Sequence, residues 1–121
     1  MTFDDLGMAA DFLEEYALRP PRAEPHQTAV DSPRWREIQG RLRDLAGRLR
    51  SSRSESGVEF VDTDAQFLET QSSRLLRMHH WIKRGPLTHE GQIMADASKM
   101  AAERLTAIAA VVRARRTSSV A

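Results

Sequence analysis

Three histidines, His79, His80 and His89, fall close together and are joined by Glu90, so metal binding is the first chemistry to weigh. Adjacent residues on a helix point about 100° apart, so His79 and His80 cannot readily grip one ion together. His80, His89 and Glu90 would have to converge across the Gly85-Pro86 turn. No H-E-x-x-H spacing supports that convergence, and ordinary surface or half-buried imidazoles are the expectation. No metal ligand and no cofactor are assigned.

Covalent chemistry has less to stand on. None of the serines sits in a G-x-S-x-G turn, and the six glycines are scattered rather than gathered into a phosphate cradle. The carboxylates fall on expected outer helix faces and in loops, where their protonation would be ordinary. A non-enzyme is therefore expected.

The arginines are the richer signal. Sixteen of the eighteen bases are Arg, the residue suited to forked contacts with carboxylate or phosphate. Arg34, Arg41 and Arg48 form one row seven residues apart, and Arg36, Arg43 and Arg50 a second. With Arg113, Arg115 and Arg116 near the end of the chain they could track a nucleic-acid backbone. Trp35 could stack on a base, but its position suits a core better. The pattern matches no helix-turn-helix or zinc finger, and a net charge of +1 is modest for such a role. Nucleic-acid binding is the alternative reading.

That +1 hides blocks. Residues 1–18 carry five acids and no base, for −5; residues 19–53 carry nine arginines against four acids, for +5. Residues 54–73 return to −5 with five acids and no base, and residues 74–121 reach +6 with nine bases against three acids. Alternation of this size suits segments that dock on one another or on a charged partner.

The positioning elements are read as helices. A first helix over about 3–18 carries Phe3, Leu6, Ala10, Leu13 and Ala17 in steps of three and four, widened by Phe12 and Tyr16. Residues 19–32 follow, and four prolines between 20 and 33 favour an extended tether. Ser32 and Pro33 suit the cap and first position of a second helix, to about 51. Its heptad core is Trp35, Leu42 and Leu49 alternating with Ile38 and Leu45, and Gly40 and Gly47 recur on the outer face. Val58-Glu59-Phe60-Val61 reads as a brief extended piece over the core. A third helix over about 63–84 takes a Thr63/Gln66 capping box, with Leu68, Leu75 and Ile82 in its seam and Phe67, Met78 and Trp81 beside them. Gly85-Pro86 ends it, and Thr88 caps a fourth helix to about 116. That helix carries one stripe of Met94, Ala97, Ala101, Leu105, Ile108 and Val112, and a second of Ile93, Met100, Ala107 and Val111. The apolar face is too wide for one neighbour.

The expected fold is all-α: a three-helix bundle over 33–116, an acidic helix on a tether before it and a flexible tail over 117–121. The acidic helix either completes a four-helix arrangement or docks in trans. The expected function is that of a helical assembly or adaptor protein, binding a protein partner or a second copy through Phe3, Leu6, Phe12, Leu13, Tyr16, Ile93, Met100 and Val111. The longest apolar run, 107–112, is too short for a membrane span. The opening residues, with no basic stretch and no apolar run, do not suggest a secretory leader. The lack of cysteine suits a cytoplasmic location.

Overall fold

The computed structural model describes residues 6–19, 33–52 and 58–120, the last five for their backbone only. Four helices account for most of them: α1 (Leu6–Leu18), α2 (Pro33–Ser51), α3 (Asp62–Arg84) and α4 (His89–Val120). The expected tether over 19–32 lies outside the described residues except for Arg19, as do Thr2, Phe3 and Ser32. The helix α4 runs four residues past its expected end at 116.

The first two helices pair antiparallel. Leu6, Ala9, Ala10, Leu13, Tyr16 and Ala17 bury one face of α1. Trp35, Leu42, Leu45, Ala46 and Leu49 bury the matching heptad face of α2, with Ile38 half-buried beside them. The last turn of a helix leaves carbonyls with no intrahelical donor. The Ala17 carbonyl, in that turn of α1, accepts from Trp35 Nε1 at 3.3 Å and from Gln39 Nε2 at 3.1 Å. Tyr16 meets the Trp35 ring edge-on at 5.9 Å between centroids. At the other end, Arg50 forks onto Glu14 and Asp11.

The α3–α4 hairpin is tied by polar residues inside its seam. Ser72 Oγ lies 2.8 Å from the Ala102 carbonyl, which it reaches as donor, and 2.8 Å from Thr106 Oγ1. His79 is buried, and its Nδ1 lies 2.7 Å from the Ala95 carbonyl. A carbonyl only accepts, so Nδ1 carries the proton. Arg113 pairs with Glu69 near the far end.

The two pairs share one core, in which Leu13, Leu42, Leu68, Leu105 and Ile108 are fully buried. Arg48 of α2 forks onto Asp64 of α3 at 2.8 and 2.9 Å, and Arg41 lies over the Phe67 ring at 4.1 Å. Arg74 of α3 lies over Trp35, and Arg104 of α4 over Phe12. These contacts run in opposite chain directions along each neighbouring pair, so the four helices alternate in direction. The acidic helix thus packs into the bundle of its own chain.

Three boundary and seam details depart from expectation. Helix α3 begins at Asp62 with Val61 at the cap position, and in place of a Thr63/Gln66 box the Asp64 carboxylate accepts from Val61 N at 3.0 Å. Gly85 is extended, with φ −93° and ψ −176°, because Pro86 disfavours helical geometry in the residue before it. The inner face of α4 takes Ala101, Leu105, Ile108 and Val112 from the first expected stripe and adds Ala95, Ser98, Ala102 and Ala109, while Ala97 faces out. Thr88 does cap α4, accepting from Gly91 N at 2.9 Å. Phe60 is buried, so the piece over 58–61 covers the core as expected.

Candidate interaction surface

Helix α4 has 32 residues and α1 only 13. Phe12 meets Arg104, so α1 continues six residues beyond that contact to Leu18, while α4 extends fifteen residues the same way to His89. At 1.5 Å per residue, about 13 Å of α4 projects past the end of α1. Ile93 lies on this overhang and is 56% exposed; Met100, near the end of α1, is 49% exposed. Ala97 stands exposed between them. The same overhang explains Trp81, expected beside the α3 seam but half exposed. Trp35, near the start of α2, already lies level with Arg74, so the last turns of α3 run past α2.

The expected partner-binding residues therefore divide. Leu6, Leu13 and Tyr16 are buried in this chain's own core, which withdraws them from any outer surface. Phe12 and Val111 are half-buried against that core. Phe3 lies outside the described residues. Ile93 and Met100 alone of the eight face outward in the described structure.

The arginines divide as well. Arg48 holds Asp44 and Asp64, Arg50 holds Asp11 and Glu14, and Arg113 holds Glu69. Arg34, Arg36 and Arg43 are exposed on α2, Arg41 lies over Phe67, and Arg115 is half-buried; the side chain of Arg116 is outside the described set. The Arg48 guanidinium and the Val61 N–H hold the Asp64 carboxyl below its ordinary range, against the opposing effect of burial. Glu14 is lowered in the same way by Arg50.

An open groove of about 460 Å³ between α2 and the start of α3 is lined by Glu37, Gly40, Arg41, Asp44, Leu45, Arg48 and Asp64. Two of its three acids, Asp44 and Asp64, already accept from Arg48. Among the described residues no group of three or more histidines and carboxylates is placed to hold a metal ion, so His80, His89 and Glu90 do not gather. None of the described helices is long and apolar enough to cross a membrane.

Sequence reasoning named Ile93 and Met100 but missed the third member of the patch. Ala97 was placed in the stripe of Met94 and Ala101 rather than with Ile93 and Met100, because an alanine fits either face and carries no polarity signal of its own.

Fold and surface together define an all-α chain with an apolar ridge on its longest helix. Comparison with protein-family models, with curated proteins and with solved structures finds no match.

Proposed function

We propose that this chain is a non-enzymatic assembly or adaptor protein that works by helix–helix contact through the outer face of α4. One observation carries the reading. Ile93, Ala97 and Met100 stand exposed in steps of four and three, the spacing by which one helix seats against another. Scattered surface apolar residues need no explanation, but a line of them at heptad spacing on an overhanging helix makes a ridge. The pairing of Arg48, Arg50 and Arg113 with carboxylates of this chain supports protein contact over phosphate contact, since those guanidiniums already hold anions. The same reading places the cysteine-free chain in the cytoplasm.

The test is a photo-crosslinking amino acid at position 100, compared with one at position 99, in cells that make the protein. The two sites differ by about 100° around α4. A discrete covalent adduct from position 100, absent from position 99 and lost on Ile93→Glu, is the expected result. Equal labelling at both sites, or none at position 100, would remove the reading.

A further inference from the structure

The border of the α4 ridge is acidic. Glu90 lies three residues before Ile93 and seven before Ala97; Asp96 lies between Ile93 and Met100; Glu103 lies three beyond Met100. All three are exposed, and Asp96 is held in place by Gln92 Nε2 at 2.7 Å. Of the bases nearby, Lys99 is exposed about 100° round α4 from Met100, beyond Asp96 and Glu103, and Arg104 turns its guanidinium toward the Phe12 ring of α1 at 5.5 Å. From the ridge as a contact surface, we infer the chemistry of its occupant: a basic amphipathic helix, with apolar residues every three to four positions and Lys or Arg on the positions flanking them.

The shape and the charge of the ridge select that occupant. Two helical turns of exposed apolar side chain with an alanine at the centre permit close approach of a second helix, at 8–10 Å between axes. The carboxylates at the border then stand where flanking residues of the incoming helix fall, and opposite charge there sets partner choice. A second copy of α4 fits poorly. Antiparallel two-fold pairing about Ala97 brings Asp96 of one copy beside Asp96 of the other and Glu103 beside Glu90, and like charges so placed repel. The same carboxylates disfavour nucleic acid and anionic membrane. A single helix contact of this length falls at the small end of specific interfaces, so the affinity expected is micromolar rather than nanomolar.

The inference rests on the contact-surface reading, and the experiment separates the two. Two fluorescent peptides of about three heptads are titrated against the full chain, each with leucine at the core positions; one carries lysine on the flanking positions and the other glutamate. The lysine peptide should bind at least about tenfold more tightly at low salt, and the gap should close at about 0.5 M salt as screening grows. Asp96→Lys with Glu103→Lys, both at exposed positions, should reverse the preference. Ile93→Glu with Met100→Glu should abolish binding of either peptide.

Equal binding of the two peptides, or a preference that the charge reversal leaves unchanged, overturns the basic partner while leaving the ridge as a contact surface. Failure of both peptides to bind overturns the inference; the crosslink from position 100 then decides separately whether the ridge contacts anything. A chain that sediments as a dimer until Ile93 and Met100 become glutamate assigns the ridge to a second copy and also overturns it.

Discussion

Replacing Asp64 tests how α2 and α3 are fastened. Its side chain is 9% exposed and performs two tasks: it accepts from Val61 N at the start of α3, and it takes the forked Arg48 guanidinium. Losing an N-terminal cap costs about 1 kcal/mol. Breaking a fully buried ion pair costs about 3–5 kcal/mol, and an exposed pair is worth under about 1. Arg48 is 29% exposed at its side chain and keeps Asp44 and the Glu59 carbonyl, so about 1–2 kcal/mol is reasonable for the lost pair. Asp64→Ala should therefore lower stability by about 2–3 kcal/mol, a large part of the roughly 5–15 kcal/mol of a domain this size. Asp64→Asn keeps an acceptor for Val61 N and should lose about half as much.

The assay is urea unfolding followed by far-ultraviolet circular dichroism across pH. The Asp64 carboxyl is lowered in the folded chain, so its stabilisation is present above the ordinary aspartate value of about 3.9 and is lost as pH falls through the folded value. The deficit of Asp64→Asn should shrink over that descent. A deficit below about 0.5 kcal/mol for Asp64→Ala, or one for Asp64→Asn that does not change with pH, refutes the reasoning.

Gly40 and Gly47 have nothing within 4 Å of where a Cβ would sit, so Gly40→Ala and Gly47→Ala should each raise stability by up to about 1 kcal/mol in the same unfolding assay; a loss would reveal an unseen contact on that face. Tyr16 is the chain's one tyrosine, and burial pushes its hydroxyl up to about 12. Absorbance titration of the phenolate should thus show no transition near 10 while the chain is folded, and stability should fall between about pH 10 and 12, as the unfolded form alone ionises; a normal transition near 10 would place Tyr16 in solvent. Gln71 Oε1 is buried with no hydrogen-bond partner among the described residues, so Gln71→Met should be neutral or stabilising by about 1 kcal/mol, and a clear loss on thermal melting would contradict this. Deleting residues 1–31 removes Leu13, Tyr16 and Ala17 from the core, so the remainder should lose its cooperative melt; a sharp transition in the truncate would show that α1 is dispensable.

The elements were legible because their signals are local. Proline and glycine mark the breaks, Thr88 is a strong cap, and the α2 heptad of Trp35, Leu42 and Leu49 needs no tertiary information to be seen. The inward face of α4 was legible through Ala101, Leu105, Ile108 and Val112, but its edges were not. Both of its flanks carry apolar residues, and the inner one includes Ala95 and Ser98, whose small side chains announce no preference. Ser72 and His79 were equally opaque, since each is buried against a carbonyl of the facing helix that only the folded hairpin supplies. The candidate surface was legible in part for a related reason. Periodicity shows which residues are apolar together, but it cannot choose between a neighbour in the same chain and one in another. The structure places α1 in its own bundle, so Leu13 and Tyr16 became core while Ile93 and Met100 stayed outside.

Arg48 and Arg50 grip different helices from adjacent places on α2. Two residues apart on a helix means about 200° of turn, so their side chains leave on opposite sides, one toward Asp64 and one toward Glu14. Together they fix the axial register of α2. A helix slid by one heptad, about 10 Å, would set apolar residues on apolar residues again but carry both guanidiniums off their carboxylates at once. The two arginines thus act as keyways for a helix whose apolar repeat alone would tolerate more than one setting.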